Sequence, residues 1–104
     1  MIIQVNSDNN IAKNEEQIAQ IKLSIADGLS LYSKDITRIE THLSDENGSK
    51  IGQQDKRCML EARIANRQSL AVTSYANTTE LAISDALDKL NAALQTVLSK
   101  LKSH

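Results

Sequence analysis

The sequence predicts a single α+β domain over residues 1–104, of order β-α-β-β-β-α, with a four-stranded mixed sheet carrying two helices on one face. Three observations predict it. The last quarter of the chain keeps a helical period without a Gly or Pro to break it. The stretch from Ile36 to Ala76 changes to strict alternation and contains three separate runs of it. A short alternating run opens the chain, ahead of a first helical pattern.

Taken in order, Ile2, Ile3 and Val5 make a short strand, with Gln4 and Asn6 alternating. Ser7 to Asn10 is a polar turn. Asn14 suits the cap of a first helix, Glu15 to Tyr32, because its side-chain oxygen can accept from a free amide of the first turn, and Glu15 and Glu16 complement the helix dipole there. Ile18, Ile21, Ile25, Leu29 and Tyr32 form its apolar stripe, and Gly28 interrupts that stripe at a cost of about 1 kcal/mol relative to Ala.

The second strand is Ile36 to Ser44, with Ile39, Thr41 and Leu43 on one face and Arg38, Glu40 and His42 on the other. A polar link, Asp45 to Asp55, contains the turn signal Asn47-Gly48. Lys56 to Ile64 alternates again, with Cys58, Leu60, Ala62 and Ile64 on the apolar side. Ala65 to Gln68 connects to Ser69–Ala76, whose Leu70 and Val72 face inward and whose Thr73 and Tyr75 face out. Short links make the last three strands antiparallel neighbours, and the helical crossover makes the first strand parallel to the second.

The closing helix runs from Asn77 to Lys102. Asn77 reads as its cap, with Glu80 three residues on. Ile83, Leu87, Leu90, Leu94, Val97 and Leu101 form its stripe, and Lys100 and Lys102 suit the negative end of its dipole. At 1.5 Å per residue it is about 36 Å long. The apolar faces of the strands supply the surface it needs.

Composition bounds the function. The 40% hydrophobic content belongs to a folded chain, and two Tyr with no Phe or Trp require an aliphatic core. Cys58 is the only cysteine, which excludes an internal disulfide and suits a reducing, cytoplasmic setting. The first ten residues lack a secretory pattern, and no segment approaches the about 20 apolar residues of a membrane span. Net charge is -1, whereas domains that bind nucleic acid by charge alone are clearly basic.

Specific residues then meet this element order. The segments Ile36-Thr-Arg-Ile-Glu-Thr-His-Leu-Ser-Asp-Glu-Asn47, Asp55-Lys-Arg-Cys-Met-Leu-Glu-Ala-Arg63 and Ala86-Leu-Asp-Lys-Leu90 resemble the bacterial ribosome hibernation-promoting factors, also called ribosomal subunit interface proteins. The resemblance covers nearly the whole chain and matches the short form, without the dimerising C-terminal domain of the long form. It implies a double-stranded-RNA-binding-like fold and a non-enzymatic factor with the small ribosomal subunit and its 16S rRNA as partner. Such factors occupy the decoding channel and inhibit translation in stress or stationary phase, with basic side chains on rRNA phosphates. No cofactor, metal or small-molecule substrate is implied.

The candidate RNA-binding residues are Lys22, Arg67, Lys89, Lys100 and Lys102. For the four lysines the alternative is an ordinary solvated helix charge. Arg67 falls in a loop without an evident partner, whereas Arg57 and Arg63 are expected to pair with Glu40 and Glu61 across the open sheet face. Tyr75 offers a ring on which a base can stack, although a lone outward Tyr on a strand more often packs. Cys58 alternates with the core set and reads as a small buried hydrophobe. Asp45-Glu46-Asn47-Gly48 echoes a piece of a calcium loop but lacks the distal Glu, so it reads as a solvated turn. No catalytic constellation is present in the sequence.

The helices depart from the resemblance. Asn91, Ala92, Ala93, Gln95 and Thr96 follow Lys89 where the family carries Arg and Lys, and Lys22 stands nearly alone on the first helix beside Asp27. This motivates the alternative of a protein-interaction module that keeps the fold and has lost rRNA binding.

Overall fold

A computed structural model describes residues 1–8, 14–46 and 55–102, the last three as backbone only. The elements are β1 (Ile2–Ser7), α1 (Glu15–Gly28), a 3₁₀ turn (Ser30–Tyr32), β2 (Ile36–Asp45), β3 (Lys56–Ile64), β4 (Leu70–Ala76) and α2 (Thr79–Lys102). The sheet has spatial order β1-β2-β3-β4, parallel between β1 and β2 and antiparallel elsewhere. This is the predicted α+β order and topology.

The register shows how the alternation builds one apolar face. Ile3, Ile39, Ala62 and Leu70 stand in one row across the four strands, and Val5, Thr41, Leu60 and Val72 in the next. Ile39, Thr41, Leu60 and Ala62 are fully buried, while the outer-strand members Ile3, Val5, Leu70 and Val72 pack against the core from the edges. Between Ile36 and Arg38 the pairing shifts, so both Ile36 and Ile39 reach the core despite their odd spacing. Thr37, at the irregularity, donates from Oγ1 to the Arg63 carbonyl at 3.2 Å.

Both helices cover this face. α1 packs on β1, and α2 lies over β3 and β4. The buried side of α2 is Ala82, Ile83, Ala86, Leu90, Leu94 and Leu98, with Leu87 half-buried. The two alanines let the start of the helix sit close to the sheet.

Three sequence expectations need correction. The side-chain cap of α2 is Thr78, whose Oγ1 accepts from the Leu81 amide at 3.1 Å, so the helix starts one residue later than an Asn77 cap requires. Asn14 does cap α1, accepting from the Gln17 amide at 2.9 Å. The first helix does not run through to Tyr32 but ends at Gly28, followed by the 3₁₀ turn. The helices approach closely at Gly28: a Cβ at this position would stand 2.8 Å from Cδ1 of Leu87 on α2, so any larger residue there makes the Leu87 side chain shift. Asn91 closes the same junction by donating from Nδ2 to the Gly28 carbonyl at 2.9 Å. The Ser7–Asn10 turn is displaced at its start, since Ser7 still belongs to β1; Asn9, Asn10 and the Asn47-Gly48 turn fall outside the described residues.

Candidate nucleic-acid interface

The topology sorts the charges along the strand direction. β2 starts, β3 ends and β4 starts at one end of the sheet, as the Ile36–Ile64 and Ala62–Leu70 pairs require. The Ala65 amide donates to the Asp35 carbonyl at 3.1 Å, which ties the loop before β2 to the turn after β3. α2 runs back over β4 toward this end, where Val97 lines a crevice together with Arg67, Gln68 and Leu70. One further turn carries the backbone of Lys100 and Lys102 past it.

Within residues 29–38, 63–70 and 97–102, six basic residues (Lys34, Arg38, Arg63, Arg67, Lys100 and Lys102) meet one acidic residue, Asp35. Lys34, Arg63 and Arg67 are exposed and make no ion pair with any described residue. Asn66, beside Arg67, has φ 63°, a left-handed conformation that Asn adopts readily and that turns the chain sharply between β3 and β4.

The opposite end has the reverse sign. Asp8, Asp45, Glu46 and Asp55 gather where β1 and β2 end and β3 begins, and the first turns of the helices add Glu15, Glu16 and Glu80. Lys56 and Arg57 are the basic residues of the strands there. Lys56 Nζ lies 3.1 Å from Asp55 and 3.2 Å from Asp45. The Asp55 hydrogen bond, helped by Asp45, holds its pKa above the ordinary lysine value. Arg57 Nε is 3.8 Å from Glu46. In a chain of net charge -1, the described residues are thus polarised from end to end.

The open face of the sheet pairs differently from the expectation. Register sets Arg38 opposite Arg63 and Glu40 opposite Glu61. Like charges directly opposite repel, so Arg38 turns along its own strand to Glu40, Nε to carboxylate 3.7 Å, and donates to the Gln4 side-chain oxygen. Arg57 goes to Glu46, and Arg63 is left facing solvent. Tyr75 is 48% exposed on this face, opposite Arg57.

Of the five residues that sequence reasoning singles out, the structure places Arg67 at the same end as the helix positions of Lys100 and Lys102. Lys22 and Lys89 stand apart from them. Lys22 is exposed on the flank of α1 away from α2, about 60° round the axis from buried Ile25. Lys89 leaves the flank of α2 as its spacing from Leu90 requires, but its ammonium donates to the Thr73 carbonyl at 2.8 Å. β4 is an edge strand, so Lys89 covers an edge carbonyl that would otherwise be open to pairing. Sequence reasoning missed Lys34, Arg38 and Arg63 as members of the basic end. Only the register, with its shift at Thr37, reveals Arg63 beside Arg38.

Cys58 is fully buried, and burial pushes its thiol up to about 12. It is a core residue. Asp45 holds Lys56 at the sheet end, and among the described residues no group of His, Cys, Asp and Glu is arranged to hold a metal ion. No helix among them is long and apolar enough to cross a membrane.

No protein-family model matches the sequence, and no curated protein sequence matches it. Solved structures do match the fold. The N-terminal domain of Thermus thermophilus Protein Y superposes with a TM-score of 0.70 at 16% identity, covering 93% of this chain and 99% of that one. A ribosomal subunit interface protein from Coxiella burnetii superposes with a TM-score of 0.65 at 14% identity, over 100% of both chains. At these identities the likeness is one of fold, and it spans essentially the whole of this chain: its β-α-β-β-β-α architecture is similar to that of the Protein Y N-terminal domain and of the ribosomal subunit interface protein.

Proposed function

We propose that this protein is a ribosome-associated factor that engages rRNA phosphates through its basic end and has no catalytic role. The observation that carries this is that Lys34, Arg63 and Arg67 stand exposed and without an ion pair to any described residue at the end of the sheet toward which α2 carries the positions of Lys100 and Lys102, in a fold shared with a ribosomal subunit interface protein. Exposed Lys and Arg without internal partners are free to replace counterions on a phosphate backbone. Structured RNA offers chiefly its backbone and shape to a protein, because its major groove is deep and narrow. A polarised neutral domain suits such a target: the basic end faces the RNA while the acidic end points away from it. By the sequence resemblance, the site is the decoding channel of the small subunit, and its occupation inhibits translation during stress or stationary phase in the cytoplasm.

The alternative, a protein-interaction module that has lost rRNA binding, is favoured by one observation, the engagement of Lys89 with Thr73 within the fold. Co-sedimentation with purified small ribosomal subunits at low salt separates the two. The ribosome reading expects the protein in the pellet. Protein that stays in the supernatant at low salt defeats that reading and leaves the interaction module.

A further inference from the structure

We infer that the groove between α1 and α2 is a docking site for a cationic segment of a partner protein, one that carries Lys or Arg beside aliphatic side chains. The two helices run in the same direction and meet at the Gly28–Leu87–Asn91 junction. Beside that junction they leave a groove of about 670 Å³. Its floor is apolar, with Ile83 from α2 and the half-buried Ile21 and Leu87. Its rim carries three exposed carboxylates, Asp27 from α1 and Glu80 and Asp88 from α2. Among the described residues no Lys or Arg lines it, and none of the three carboxylates is ion-paired with a described residue.

This lining selects the occupant. An RNA strand is repelled by a rim of one sign that matches its own. A single cation does not satisfy the rim either, because Glu80 and Asp88 stand eight residues apart on one helix, about 12 Å along the axis. Cations spaced along a peptide match that separation: two helical turns, or about three to four residues of extended chain at about 3.3 Å each. Aliphatic side chains between them reach the floor. The groove lies on the helical side, while the proposed phosphate contacts lie at the end of the sheet. The two interactions are separable, and this inference does not depend on the ribosome reading.

The test uses a fluorescein-labelled twelve-residue peptide with two lysine pairs spaced to match Glu80 and Asp88 and with leucines between, together with its counterpart bearing Glu for Lys. Anisotropy titrations on the intact protein are expected to show binding of the lysine peptide and none of the glutamate peptide. Asp27→Asn with Asp88→Asn weakens that binding about tenfold. Ser84→Trp, a substitution at an exposed position that fills the groove, abolishes it. Glu40→Gln with Glu61→Gln removes the same charge from the opposite face of the sheet and leaves binding unchanged. Methyl resonances of Ile83 and Leu87 shift on addition of the lysine peptide. The inference is overturned if the Asp27/Asp88 variant binds as tightly as the parent, if the Glu40/Glu61 variant weakens binding equally, or if the Ile83 and Leu87 methyls do not move. Displacement of the lysine peptide by an RNA oligomer from those same methyls also overturns it, in favour of a nucleic-acid groove.

Discussion

Leu90 tests whether α2 docks as described, because everything placed at the ends of the molecule depends on that docking. Leu90 is fully buried near the middle of α2, over β3 and β4. Leu90→Ala deletes three carbons from a packed interior. Their transfer accounts for about 2.4 kcal/mol, at about 0.8 kcal/mol per carbon. The cavity left behind adds more where the walls cannot collapse, which puts the total at about 2.5–4 kcal/mol. A domain of this size has about 5–15 kcal/mol of stability, so the variant still folds. At about 4–8 °C per kcal/mol its Tm falls by about 10–30 °C. Leu81, nine residues earlier and half a turn round the helix from Leu90, is the matched control. It is 53% exposed, so Leu81→Ala is expected to change stability by no more than about 0.5 kcal/mol. Circular dichroism melts and urea titrations of both variants read the difference. Equal losses at the two positions, or a loss at Leu90 below about 1 kcal/mol, would show that the buried side of α2 has been assigned wrongly.

Two further expectations concern single side chains. With its pKa pushed up to about 12 against an ordinary 9.0, Cys58 favours the folded state most below pH 9, and this contribution declines as pH rises from about 9 to about 12 because the unfolded chain forms the thiolate first. Iodoacetamide at neutral pH is therefore expected to label Cys58 only at the rate of unfolding; rapid labelling of the native protein contradicts its burial. Lys89→Met removes the bond to the Thr73 carbonyl and is expected to lower stability by about 0.5–1.5 kcal/mol while small-subunit pelleting stays at the level of the parent. Lost pelleting with an unchanged melt would return Lys89 to the set of phosphate contacts.

The periodicities made most of the fold legible. The alternation of Ile39, Thr41 and Leu43 with Arg38, Glu40 and His42 identifies the buried face of β2 before any pairing is known. The α2 stripe reads nearly as well, although Leu98 is buried and Val97 only partly so, because a stripe spaced by sevens has a 3.5-residue period and drifts by about 20° per heptad on a helix of 3.6 residues per turn. Helix ends were harder. Asn77 and Thr78 are both good capping residues, and local sequence does not choose between them. Gly28 packs against Leu87, a neighbour far along the chain that local sequence does not reveal.

The candidate site was legible only in pieces. Arg67, Lys100 and Lys102 stand out as basic residues, but their convergence needs the β3–β4 turn and the far end of α2 to meet. Arg63 reads as a cross-strand partner of Glu61 or Glu40 until the register places it opposite Arg38. Lys89 reads as a solvent-facing cation until β4 proves to be an edge with a carbonyl in reach. In each case the missing information is long-range pairing.

The most direct test of the central claim is the salt dependence of binding to purified small ribosomal subunits. Each phosphate contact steepens the fall of log K with log salt by about 0.7–0.9. If Arg63 and Arg67 both contact phosphate, Arg63→Gln with Arg67→Gln flattens that slope by about 1.4–1.8 and weakens binding, while Lys22→Gln, on the far flank of α1, leaves the slope unchanged. An unchanged slope for the double arginine variant, with a flattened slope for Lys22→Gln, would move the interface to the helices and contradict phosphate binding at the basic end.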